Sequence, residues 1–143
     1  MNSTFFVDSN IIMYAVGVEH PCRRPCLNAL DRIVRESLPA VVSSEIHQEI
    51  LHRYLSLGLP QMAQQVSVQL ETIIPTTLPV TLADIRRVRQ LAERYSALKA
   101  RDLVHAAVML ENGISRILST DRHFDQMPEI ERMDPRDFGS EVR

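Results

Sequence analysis

An α/β fold, with a small parallel sheet covered on both faces by helices, is the class that this 143-residue chain predicts. Three observations carry that reading. Short apolar runs, FFV at 5–7 and AVV at 40–42, read as strands, as does ISRIL at 114–118. Between them lie longer segments whose apolar residues recur at helical spacing. Strands that alternate with helices in this way pair in parallel, because each helix carries the chain back across the sheet.

Taken in order, residues 4–7 read as the first strand, and a helix begins over 11–16. Residues 23–37 place Leu27, Leu30 and Val34 on one helical face and stop at Leu38-Pro39. A second strand covers 40–42, after which Ser43 or Ser44 caps a helix running to Ser56, with Gly58 and Pro60 as stop signals. Another helix spans 60–71, and 72–74 is expected as a third strand ahead of two prolines. Thr81 with Asp84 three residues on resembles a capping box and starts a helix to Tyr95. A helix over 100–111 closes at Asn112-Gly113, strand 114–118 follows, and 132–134 forms a short last strand before Pro135.

The length suits one sizeable core, so residues 1–143 are expected to form a single domain. Hydrophobic residues at 45% and charged residues at 24%, with only 4 Gly, exclude a disordered or fibrous chain. No signal peptide and no stretch of ~20 apolar residues is visible, which makes a cytoplasmic location, away from the membrane, the expectation. Cys22 and Cys26 in HPCRRPC lack the partners of a zinc site or a disulfide framework and read as half-buried free thiols. Net charge is -2, so any binding of nucleic acid must rest on a local basic patch.

The informative residues are acids at strand ends. Asp8 follows the first strand directly and Asp121 follows ISRILST. In parallel sheets, functional groups collect at the carboxyl ends of strands near the switch in strand order. Either residue alone is as well explained as a helix cap. Asp102, however, opens the helix ARDLVHAAVML beside a face that must be buried, where an unpartnered carboxylate is costly. In SSEIHQEILHRYL, Ile46, Ile50, Arg53 and Leu57 fall on one side; Glu49 lies ~60° from Ile46 and Glu45 ~100° away, so Glu49 is the fourth candidate. Converging carboxylates repel one another unless a cation or protons intervene. An all-oxygen set favours Mg²⁺ or Mn²⁺ over zinc, and a metal-activated water at such a site hydrolyses a phosphodiester.

Together, FVDSN, VVSSEIHQEIL, ARDLVHAA and LSTDRHFD resemble the PIN-domain family, most closely its VapC-like toxins of toxin–antitoxin pairs, over nearly the whole chain. The resemblance implies a three-layer α/β/α sandwich and an Mg²⁺- or Mn²⁺-dependent ribonuclease with Asp8, Glu49, Asp102 and Asp121 as catalytic, metal-holding acids. It also implies hydrogen-bonding support from Asn10 and Ser119, a homodimer, and inhibition by a small antitoxin protein. One departure stands out: His123 occupies a place where many relatives carry an acid, and Asp125 follows two residues later. His105 invites a proton-transfer role but is better read as a histidine bonded to a backbone or carboxylate group, and His47 and His52 as surface residues. Competing readings are a catalytically silent module that binds RNA or protein, and a haloacid-dehalogenase-type phosphatase. The latter is disfavoured because Asn10 stands where its second acid belongs.

An acidic pocket needs cations nearby to hold RNA. Residues 81–101 carry Arg86, Arg87, Arg89, Arg94, Lys99 and Arg101 against Asp84 and Glu93, so part of this segment is expected to face the RNA substrate, with Arg101 and Arg122 best placed for phosphate. The amphipathic helices over 24–71 offer Leu51, Tyr54, Leu55 and Leu59 as anchors for a dimer or antitoxin, or equally as core.

Overall fold

The computed structural model describes residues 3–140. Its elements are β1 (Phe5–Val7), α1 (Ser9–Val16), α2 (Arg23–Arg35), β2 (Ala40–Ser43), α3 (Ser44–Ser56), α4 (Pro60–Ile73), β3 (Thr77–Leu78), α5 (Leu82–Arg94), α6 (Ala100–Glu111), β4 (Arg116–Leu118), β5 (Glu131–Met133) and α7 (Pro135–Ser140). The five strands form one sheet in the order β3-β2-β1-β4-β5, and every neighbouring pair is parallel. Helices sandwich this sheet, as the sequence predicts.

Strand order explains the placing of the site. From β1 the chain steps to β2 and β3 on one side, then returns to the other side of β1 with β4 and β5. The direction of winding therefore reverses between β1 and β4, and a crevice opens beyond their carboxyl ends. Phe6 pairs with Ile117 and Val7 with Leu118, so Asp8 and Ser119 leave the sheet side by side. Phe6, Val7, Ile117 and Leu118 are fully buried, which locks the register, since a slip by one residue would reverse every side chain.

Helix ends follow their sequence signals. Ser43 accepts a hydrogen bond from Ile46 N at the start of α3. Thr81 and Asp84 form a reciprocal capping box on α5, which is why Asp84 is only 2% exposed yet satisfied. Gly113 takes φ +70° after α6, a conformation open to glycine without a Cβ penalty.

Three expectations are corrected. Residues 72–74 are not a strand: Thr72 and Ile73 finish α4, Ile74 caps it, and the third strand lies beyond Pro75 at Thr77–Leu78. Ala63, Val66, Leu70 and Ile74 are all buried at helical spacing, so packing of that face overrides the β preference of the isoleucine pair. On α2 the buried side is Cys26, Ala29, Leu30 and Ile33, leaving Val34 exposed. On α3 it is Ile46, Ile50 and Tyr54, so Arg53 and Leu57 face outward and Tyr54 is core, whereas Leu55 and Leu59 remain exposed. A 3₁₀ turn at Arg122–Gln126 and α7 have no counterpart in the sequence reading.

Cys22 and Cys26 are free, the second fully buried. Burial first, then Cys22 and Asp134, pushes the Cys26 thiol up to about 12, as suits a packing group with no metal duty.

Candidate metal centre

Asp8 begins the site. It is buried at the N-cap of α1, where its Oδ1 accepts from Ser9 N at 2.8 Å. Its Oδ2 accepts from Ser119 Oγ at 2.7 Å and from Asn10 Nδ2 at 3.2 Å. Ser119 Oγ in turn accepts from Asp121 N at 2.9 Å, and Asn10 Oδ1 from Thr120 N at 3.3 Å. Asn10 and Ser119 thus tie the end of β1 to the end of β4 and set the positions of both aspartates.

Glu49 arrives from α3. Ser9 Oγ donates to its Oε1 at 2.7 Å, and His105 Nε2 on α6 lies 3.0 Å from its Oε2. The same nitrogen stands 4.0 Å from Asp8 Oδ1. With an ionised Glu49 as acceptor, Nε2 carries the proton and donates. Asp102, also on α6, is buried, and its Oδ2 has no hydrogen-bond partner among the described residues. His123 Nδ1 lies 3.5 Å from that oxygen and 3.1 Å from Asp121 Oδ1.

The four acids predicted from sequence therefore come together from four parts of the fold, in two neighbouring groups: Asp8, Glu49 and His105, and Asp102, Asp121 and His123. One cleft of about 1020 Å³ is lined by all four, along with His105 and Arg101. Glu45 also reaches this cleft, but no side-chain hydrogen bond ties it to the two groups. One member escaped the sequence reading, and so did the partner of another. Ser9 carries no signal beyond being a hydroxyl next to an acid. His105 was legible only as a histidine bonded to some carboxylate, and nothing in the chain identifies Glu49 as that partner. Asp125 is committed elsewhere, paired with Arg132 at 3.0 Å. His47, expected at the surface, is half-buried and turned to Ser67 Oγ at 2.8 Å, whereas His52 is exposed.

Electrostatics record the crowding of charge. Burial raises the Asp8 carboxyl above its ordinary range; the nearby His105 and the Ser119 hydrogen bond lower it only in part. Burial also raises Asp102, and the charge of Asp121 adds to the rise. Glu49 is lowered, because the bond and charge of His105, with help from Ser9, outweigh its burial. His105 is raised, since Glu49 and Asp8 outweigh the cost of burying its charge. Asp8 and Asp102 are thus both held reluctant to ionise, and Asp102 Oδ2 is buried with no hydrogen bond among the described residues, an arrangement that a nearby cation would relieve. The donor set fits a hard divalent cation: carboxylate oxygens predominate and no thiolate is near.

Basic residues divide. Arg87 is paired with Glu111 at 2.7 Å and Arg94 with Glu129 at 2.9 Å, while Arg101 borders the acids in the cleft.

A parallel α/β sandwich with acids gathered at its strand-order switch is the class of open-sheet protein that places its binding site beyond the carboxyl ends of its strands. More narrowly, residues 5–130 match the family model described as the PIN domain, and the chain belongs to that family. It is 35% identical to ribonuclease VapC13 of Mycobacterium tuberculosis over 127 residues, which covers 89% of this chain and 97% of that protein. It is also 35% identical to ribonuclease VapC23 of the same species over 116 residues, 81% of this chain and 91% of the relative. Among solved structures, VapBC2 from Rickettsia felis, bound to a DNA fragment from its promoter, superposes with a TM-score of 0.73 at 14% identity, covering 92% of this chain and 99% of that one. VapC20 of Mycobacterium tuberculosis, a toxin that cleaves the sarcin–ricin loop, does so at 0.69 and 17% identity over 88% and 95% of the two chains. These last two likenesses concern the fold.

Proposed function

We propose that this chain is a cytoplasmic, metal-dependent endoribonuclease, the toxin of a toxin–antitoxin pair, with residues 1–143 as one nuclease domain and Asp8, Glu49, Asp102 and Asp121 as the acids that hold Mg²⁺ or Mn²⁺. The observation that carries the reading is the convergence of these four acids on one cleft. Relatives at 35% identity that are named ribonucleases support it. The chemistry such a cation supplies when bound is Lewis acidity toward a phosphodiester and activation of water.

The remaining roles belong to the chain's own groups. Ser119 and Asn10 orient Asp8, and His105 with Ser9 orients Glu49. A carboxylate lowered in pKa by a histidine partner is a poor proton acceptor near neutrality, so Glu49 serves better as a ligand than as general base. Arg101, exposed at the cleft, offers a cation to a phosphate on its way to the acids. The exposed Val18, Leu57 and Leu59 along the same cleft suit an apolar segment of a small antitoxin, whose docking would close the approach to the acids. A homodimer completes the proposed assembly.

The test incubates purified protein, free of antitoxin, with total RNA and Mn²⁺ or EDTA, alongside Asp8→Asn and Asp102→Asn. Cleavage with Mn²⁺ that disappears with EDTA and in both variants is the expected result. Equal cleavage by the variants would assign the activity to a contaminant, and none under any condition would leave a silent binding module.

A further inference from the structure

We propose that His123 is a metal ligand, and that its nitrogen, with Asp102 and Asp121, gives this chain a site that prefers Mn²⁺ to Mg²⁺. The inference rests on the metal-dependent reading above and goes beyond it by naming a fifth ligand and the ion it selects.

Part of the placement of His123 is local. Its backbone N–H donates to Asp121 Oδ1 at 2.9 Å in the 3₁₀ turn, which brings the imidazole near that carboxylate. The turn does not account for the second contact. Asp102 belongs to α6, and it is the Oδ2 of this buried residue, without any hydrogen bond among the described residues, that lies 3.5 Å from His123 Nδ1. Left unpartnered, a buried carboxylate oxygen is costly, and a cation seated between the three groups removes that cost. The spacing suits one. Ligands ~2.1 Å from an octahedral ion stand ~3.0 Å apart when adjacent and ~4.2 Å when opposite. Nδ1 is 3.1 Å from the Asp121 oxygen and 3.5 Å from the Asp102 oxygen, and all three donor atoms fall within 4.8 Å of one another.

The histidine of the neighbouring group is differently engaged. His105 is fully buried and its Nε2 donates to Glu49, so that nitrogen has no lone pair to offer an ion. His123 is about half-exposed, and its Nδ1 faces the carboxylates of both Asp102 and Asp121. A nitrogen donor changes which ion is held. Mg²⁺ seeks oxygen ligands and parts with its waters reluctantly, whereas Mn²⁺ accepts carboxylate oxygen and imidazole together and stands on the ladder of first-row metals whose affinity for nitrogen rises. An acid at the same place would complete an all-oxygen set and remove the discrimination.

The experiment uses the purified full chain without RNA. Mn²⁺ binding is followed by electron paramagnetic resonance, with Mg²⁺ as competitor, for wild type, His123→Asp and His123→Ala. Pulsed measurements on bound Mn²⁺ report directly coordinated nitrogen. Wild type should show that nitrogen signal and a preference for Mn²⁺. His123→Asp should lose the signal, keep Mn²⁺ binding and reduce the Mn²⁺-over-Mg²⁺ ratio by about tenfold or more. His123→Ala should lose the signal and bind both ions more weakly. Because the side chain is half-exposed, neither variant should lose its melting transition, which serves as the control. A nitrogen signal that survives in His123→Asp, or an unchanged ion ratio, would overturn the assignment while leaving the nuclease intact. Absence of any Mn²⁺ binding by wild type would overturn the metal-dependent reading as well. Normal binding with nitrogen coordination but no cleavage of RNA would sink the nuclease reading alone.

Discussion

At Asp102 the demands of stability and of the proposed chemistry oppose each other. Its carboxyl is buried, faces the charge of Asp121 and leaves Oδ2 without a hydrogen bond among the described residues, so ionisation there is unfavourable in the ion-free protein. Asp102→Asn is therefore expected to hold or raise the melting temperature in EDTA, by ~3 °C for a gain of ~1 kcal/mol, while abolishing cleavage and the stabilisation that added Mn²⁺ gives wild type. A sharp fall in EDTA would instead mark the carboxylate as structural. Ser119 is the opposite case. Its buried hydroxyl serves Asp8 and the Asp121 backbone at once, so Ser119→Ala should cost ~1 kcal/mol in urea unfolding and lower RNA cleavage about tenfold by loosening both acids.

Single elements are held by charged caps whose worth depends on pH. Asp134 precedes α7, accepts from Arg136 N at 2.9 Å, and meets the Arg136 guanidinium at 2.8 Å and Arg132 at 3.4 Å. The Arg136 hydrogen bond is the chief reason its carboxyl is held well below the ordinary value of 3.8, against the effect of partial burial. An acid lowered on folding stabilises the native state above its unfolded pKa, and that contribution is lost as pH falls toward the folded one. Asp134→Asn keeps a side chain able to cap but loses the charge. It should cost ~1 kcal/mol at neutral pH, and the gap from wild type should persist to about pH 5 and close as pH drops below 4. Urea midpoints across that range measure it, and a gap that widens on acidification would refute the account.

For the molecule as a whole, the winding of the sheet and the rim of the cleft matter most. Reversal of strand order between β1 and β4 makes the crevice, and α3 and α6 bring the remaining acids to it. The rim is apolar where Leu57, 55% exposed, and Leu59, 43% exposed, meet solvent. Replacing both with glutamine should leave metal-dependent cleavage of RNA near the wild-type rate, since neither belongs to the two groups of candidate ligands, while weakening inhibition by the antitoxin by about 2 kcal/mol or more, as loss of anchoring side chains does. Titration of cleavage against the antitoxin separates the outcomes; an unchanged inhibition curve would place the antitoxin on another surface.

Much of this organisation is local and can be read along the chain. The capping box at Thr81 and Asp84, the glycine after α6 and the unbroken apolar FFV are each set by neighbours a few residues away, so α5, the end of α6 and β1 need no tertiary information. Asp8, directly after a strand, and Asp121, a few residues beyond one, are legible for the same reason. Residues 72–74 were not, because an isoleucine pair before proline suits a strand end or a helix end equally, and only the buried stripe from Ala63 to Ile74 decides between them. Nor could residue order alone pair His105 with Glu49 across 56 positions, or seat His123 against Asp102. Those contacts depend on how α3, α6 and the 3₁₀ turn pack around the switch between β1 and β4. The chemical identity of each group is carried by its residue, whereas the distances that let several groups share one ion exist only once the core has closed.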